Sequence, residues 1–168
     1  IYQMIIEEGK NHNLVHCGSH AMDVMRMESG FLHWGHDISP EENQYEAGLS
    51  FAISYKKEND FIGKKYLLKI KDNKQSKKFI MLSLKESIPG KPLLLHEEPI
   101  YLENKIIGRT TSGNYSFNYK KNLSFGYINT EYSIEELLNR DIFIEIEKKK
   151  YPASIETKPL KDKTSRFL

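Results

Sequence analysis

Cysteine is nearly absent. Cys17 is the only one, so an intrachain disulfide is impossible, and a reducing compartment fits. No apolar run approaches the roughly 18 residues of a membrane helix, and no secretory leader is visible. Charge of one sign is lacking too. Lys and Arg number 25 against 23 Asp and Glu, a net charge of +2, which gives no electrostatic case for nucleic acid or a membrane as partner. Walker-type phosphate loops, CxxC and HExxH motifs, internal repeats and low-complexity tracts are all missing. What remains is a chain of 168 residues, long enough to bury a core without disulfide or metal. The expected location is the cytoplasm, or the mitochondrial matrix in a eukaryote. Ile1 already lies inside a helical pattern, so the chain reads as a piece of a longer protein.

Periodicity divides the chain. Tyr2–Glu8 reads as the end of a helix with Gly9 at its C-terminal cap. A second helix is expected over Ser19–Glu28, with Ser19 as N-cap and Ala21, Val24, Met25 and Glu28 on one face. Met22 and Met27 add apolar surface round its sides, which predicts deep burial. Ser39-Pro40-Glu41-Glu42 carries the signature of a short helical turn. Leu49–Ser54 alternates as a half-buried strand would. Asp60 is placed to cap a third helix, Phe61 to Lys71, with Ile62, Tyr66 and Ile70 inward.

After the polar stretch Asp72–Lys78 the pattern changes. Short strands are expected at Phe79–Leu84, Ile100–Glu103, Lys105–Thr111, Leu123–Ile128, Ile142–Glu147 and Tyr151–Thr157. Ser133 and Glu136 form a capping box for a brief helix over Ile134–Asn139. Six short strands suggest a small barrel or sandwich. The fold class is therefore α+β: residues 1–75 as the end of an α/β region, then a six-stranded antiparallel β-barrel over 76–168. The last ten residues are polar and are expected to drape over the surface.

His16, Cys17, His20, His33 and His36 cluster loosely, but zinc needs about four convergent ligands, and ordinary hydrogen-bonded histidines are the better reading. Cys17 precedes a helix N-terminus, which favours a thiolate, yet no triad accompanies it. Ile107-Gly108-Arg109-Thr110-Thr111-Ser112-Gly113 invites a phosphate reading, but its spacing is wrong and it lies between strands. The lysine pairs and triplet, such as Lys64-Lys65 and Lys148–Lys150, read as solvated turns and faces. Arg26 and Glu28 lie about 200° apart on their helix and cannot pair, whereas Arg26 reaches Asp23 one turn back. Glu28 falls on the apolar face, where a carboxylate is costly without a donor. Either both tie the helix to neighbouring loops, or one lines a polar pocket. Trp34 and Phe51 read first as core, and alternatively as flat surfaces for an aromatic ligand.

The order of these parts resembles the folate-binding aminomethyltransferase family, the glycine cleavage T-protein among them. Ala21-Met22-Asp23-Val24-Met25-Arg26-Met27-Glu28 matches a family helix, followed by Trp34-Gly35-His36-Asp37, then Glu46-Ala47-Gly48-Leu49, then Asp60–Lys64. In the β-rich half, Gly108–Gly113 and Leu123–Ile128 match two further family elements. Trp-Gly-x-Asp and Met22 place the likeness nearest the dimethylglycine and sarcosine dehydrogenase branch; the T-protein has an arginine at the position of Met22. A tyrosine expected near the C-terminus is replaced around Lys161.

The resemblance implies a parent enzyme in which tetrahydrofolate accepts a one-carbon unit from an aminomethyl or iminium donor. It implies the N-terminal remainder of the polypeptide as partner, catalytic residues upstream of residue 1, and FAD, if used, in an upstream domain. The folate-pocket residues it suggests are Phe51 above all, then Trp34, Arg26 and Glu28. The alternative within the fold is a non-catalytic folate-binding scaffold or an iron–sulfur assembly factor, whose distinctive cysteine motif is not found around Cys17.

Overall fold

The structure, a computed structural model, describes residues 1–160. Its centre is a closed antiparallel barrel of six strands: β1 (Lys77–Leu84), β2 (Pro99–Leu102), β3 (Lys105–Ser116), β4 (Lys121–Asn129), β5 (Ile142–Ile146) and β6 (Lys149–Glu156). They run round the barrel in the order β1-β4-β3-β2-β5-β6. Each of the six strands expected after residue 78 is present, and β1, β3, β4 and β6 are longer than read. The alternation of Ile142, Ile144 and Ile146 does what a period of two requires. All three point into the interior with Ile80, Leu82, Leu84, Ile100 and Ile128. Leu137 joins them from α4 (Ile134–Leu137), whose capping box between Ser133 and Glu136 forms in full.

One stretch of barrel wall is buried on both faces. Phe125 and Leu123 of β4, Phe79 and Met81 of β1, and Met27 make a second apolar cluster outside the barrel. Full burial of a side chain such as Phe125 or Met27 is worth about 1.5–3 kcal/mol. Gly108 and Gly126 keep this wall closely paired: a Cβ on Gly108 would stand 1.9 Å from the Tyr127 carbonyl oxygen. Close backbone approach, and not phosphate binding, is what the glycine of this motif serves.

The segment before β1 contains α1 (Tyr2–Gly9), α2 (Ser19–Glu28) and α3 (Lys64–Ile70). Expectations for three segments are corrected here. Helix α2 is not deeply buried: Met27 and Glu28 are, while Ala21, Met22 and Met25 are exposed, because it is the last turn that is pressed into the outer apolar cluster of the barrel. Its N-cap is Gly18, with Ser19 the first helical residue. Leu49–Ser54 is not a strand. No neighbour pairs with it, and local bonds from Ala52 N to Leu49 O and Ile53 N to Ser50 O wind Ser50–Ala52 into a 3₁₀ turn. Helix α3 begins three residues later than read, because Gly63 takes a left-handed φ of 89° as its N-cap. Its buried residue is Leu67, whereas Ile62 and Tyr66 are exposed.

Ser39 donates twice to the Glu42 carboxylate, at 2.8 Å from its amide and 2.7 Å from its hydroxyl, but the pair closes a turn and not a helix. Leu160 packs on the outer cluster. Lys161 and the rest of the polar tail lie outside the described residues. No helix among the described residues is long and apolar enough to cross a membrane.

Candidate functional site

The last turn of α2 delivers three consecutive side chains to the barrel. Arg26 lies above the Phe125 ring, 5.7 Å from its centroid, and Met27 is fully buried beside it. Arg26 spends its guanidinium in three directions. Nε donates to Asp23 at 2.6 Å, the expected one-turn pair. Nη1 donates to Asp37 at 2.6 Å and to the Phe31 carbonyl at 3.2 Å, and Nη2 donates to Ser112 at 2.8 Å. Glu28, also buried, accepts from Ser116 at 2.6 Å and from Asn118 at 3.0 and 3.2 Å. Both charged residues therefore fasten the helix to β3 and the turn that follows it. Glu28 also borders a small cavity of about 270 Å³ between α2 and β3.

Asp37 is the centre of this arrangement, a role not legible from its place in a motif. Its side chain has no solvent exposure. Oδ2 accepts from Arg26 and from the His33 amide at 2.9 Å. Oδ1 accepts from Thr111 at 2.6 Å and Ser112 at 2.7 Å. Consecutive residues of a regular strand face opposite ways. Here the register shifts between Thr110 and Ser112, and a bulge of this kind re-aims a side chain. That is how neighbouring hydroxyls reach one carboxylate oxygen. A buried carboxylate with four donors, the Arg26 guanidinium among them, is satisfied. Three separated motifs, Arg26-x-Glu28, Trp34-Gly35-His36-Asp37 and Thr110-Thr111-Ser112-Gly113, thus meet in one structural lock.

Beside the lock runs a cleft of about 460 Å³, within the usual range for small-molecule sites. Phe31, Leu32, Phe51, Phe79, Met81 and Phe125 line it, and Glu156, Thr157 and Lys158 form its polar rim. Glu156 is already engaged by Ser83 at 2.6 Å and Lys121 at 3.0 Å. The walls offer flat apolar surface for a ring. Phe51 is 81% exposed and stands in this cleft. Trp34 is 65% exposed on the preceding turn and does not line it. The four sequence-picked residues are thereby separated: Phe51 in the cleft, Arg26 in the lock, Glu28 against β3, Trp34 in solvent.

Tyr127 packs edge-on against Phe79 of the cleft wall. Burial pushes its phenol well above the usual tyrosine range, and the nearby Glu42, Asp37 and Glu46 carboxylates push it further. Its hydroxyl has no hydrogen-bond partner among the described residues. Burial raises Glu42, but hydrogen bonds from Lys77 and Ser39 outweigh it and leave the carboxyl lowered. Cys17 is exposed and donates to the Gly18 carbonyl. The histidines disperse, His16 to Tyr2, His20 to Asn114, and His33 against His36. No group of three or more His, Cys, Asp or Glu among the described residues is arranged to hold a metal ion.

Residues 77–162, about half the chain, match the glycine cleavage T-protein C-terminal barrel domain. The chain belongs to the glycine cleavage T-protein family. Residues 1–57 match the GCVT N-terminal domain of the same family. Mitochondrial dimethylglycine dehydrogenase of Rattus norvegicus is 31% identical over 95% of the chain, which covers 18% of that protein. An aminomethyltransferase of Symbiobacterium thermophilum is 31% identical over 79% of the chain, which covers 34% of it. The chain thus spans well under half of either relative. The solved aminomethyltransferase T of Bartonella henselae superposes with a TM-score of 0.80 at 20% identity, over 95% of this chain and 43% of that one; this supports the shared fold.

Proposed function

We propose that this chain is the C-terminal part of a longer polypeptide that passes a one-carbon unit from an aminomethyl or iminium donor to tetrahydrofolate. Within the family we place it with the folate half of dimethylglycine or sarcosine dehydrogenases. The two parts we assign are residues 1–75, completing the folate-binding region, and 76–168, the barrel. The observation that carries the reading is Phe51: a large aromatic ring held in solvent, on the wall of an apolar cleft, in a chain matched by both family domains. Exposed aromatic surface at a cleft marks a binding site.

The residues fit one side of such a ligand. Phe51, with Phe31 and Phe79, would hold a flat ring by packing and exclude water from it. Tetrahydrofolate, when bound, supplies the acceptor for the one-carbon unit. This chain's residues bind and orient, and we assign the proton-handling carboxylates to the upstream polypeptide. FAD, in a parent that uses it, belongs upstream as well. We place the parent in the cytoplasm, or in the mitochondrial matrix of a eukaryote.

Calorimetric titration with tetrahydrofolate tests the division. The full-length polypeptide should bind, and the 168-residue chain should bind weakly or not at all. Tight binding by the isolated chain would show that the pocket is complete within it.

A further inference from the structure

The turn over 31–38 forms one lip of the cleft, and apolar burial does little to hold it there. Phe31 and Trp34 are exposed, and Asp37 is the buried residue of the turn. Farther on, the loop is fastened separately, by Lys77 to Glu42 at 2.6 Å and by the Phe79 amide to the Glu46 carbonyl at 2.8 Å. The first half is tied by polar bonds through Asp37 and Arg26, which also holds the Phe31 carbonyl.

We propose that Asp37 is the positioning residue of the cleft. It seats the turn on the bulge of β3 and so fixes where Phe31 and Leu32 stand in the wall they share with Phe51. The bulge makes the seat specific. Only there do two consecutive hydroxyls, Thr111 and Ser112, face one carboxylate oxygen, so a slip of one residue along β3 loses both bonds. The positioning role stands on this geometry alone, and its effect on folate rests on the function proposed above.

Trp34 is the chain's single tryptophan and lies in the turn, so its fluorescence anisotropy reports the turn directly. Asp37→Ala should lower that anisotropy. Hydrogen exchange at the His33 amide should rise by at least about tenfold while the Phe125 and Ile144 amides keep their protection, because a local opening leaves the rest folded. The double variant Thr111→Val, Ser112→Ala removes the donors to Oδ1 and spares the Arg26 pair. It should give a smaller change of the same sign, and it serves if Asp37→Ala does not fold. Unchanged His33 exchange in a folded variant, or equal loss of protection across the barrel, would overturn the proposal. In the full-length polypeptide the same variants should weaken tetrahydrofolate binding about tenfold. A loosened turn with unchanged tetrahydrofolate affinity supports the positioning role and sinks the folate reading of the cleft.

Discussion

Glu28 accepts a 2.6 Å hydrogen bond from Ser116, 88 residues later in the chain, at a point where both side chains are buried. Helix α2 is held to the barrel by this contact at one edge of Met27 and by Arg26 at the other. Glu28→Ala should therefore destabilise the chain by about 1–3 kcal/mol, because it strands the buried Ser116 hydroxyl. Glu28→Gln keeps an oxygen acceptor and should cost roughly half as much. Chemical denaturation followed by circular dichroism measures both. A stable Glu28→Ala chain would show that the carboxylate serves ligand and not fold.

Tyr127 is the opposite case, a buried polar atom without a partner. Tyr127→Phe should raise stability, or leave it unchanged, by up to about 1–3 kcal/mol, since it removes an unsatisfied group and keeps the ring between Phe79 and the Lys77 ammonium. A sizeable loss would reveal a bonded hydroxyl. The phenol's folded pKa is raised above its ordinary value of 10.0, chiefly by burial. Its contribution is thus full below pH 10 and is lost as pH rises beyond it, because the unfolded chain releases the proton first. Tyr127→Phe should flatten that alkaline decline in a pH series of melts.

Phe51 supplies a test in which stability and binding separate. At 81% exposure its removal should change folding stability by no more than about 0.5 kcal/mol, as for most surface positions. Phe51→Ala should nevertheless weaken tetrahydrofolate binding by the full-length polypeptide by about tenfold, the loss expected for an aromatic anchor. Calorimetry and thermal melts on one preparation decide it. A large drop in melting temperature with unchanged binding would make Phe51 a folding residue.

How far these features could be read beforehand depended on where each residue's partners lie. The barrel strands were legible because alternation such as Ile142–Ile146 is a local pattern enforced by a local period. Segment 49–54 shows the same alternation and is no strand, since the pattern does not reveal whether a neighbour exists to pair with. In α3, the left-handed Gly63 overrode an apolar stripe that pointed at Ile62. The costly carboxylate of Glu28 was visible on its helix face, but Ser116 and Asn118 were not. Asp37 was hidden for a similar reason: its seat is a bulge, and alternation along Lys105–Thr111 assigns Thr111 and Ser112 to opposite faces. The three hydroxyls in a row at Thr110-Thr111-Ser112, in the middle of a strand, were the available signal that something polar is buried there.

Closure of the barrel has a consequence for assembly. Every strand has a hydrogen-bonded neighbour on each side, so no row of free amides invites an intruding strand, and edge-to-edge fibril growth has no starting template. Whatever other polypeptide meets this one must grip it by side chains, and exposed apolar ones stand both ahead of the first strand, as Tyr2, Met4, Met22, Trp34 and Phe51 do, and beyond it, as Ile106 and Phe117 do.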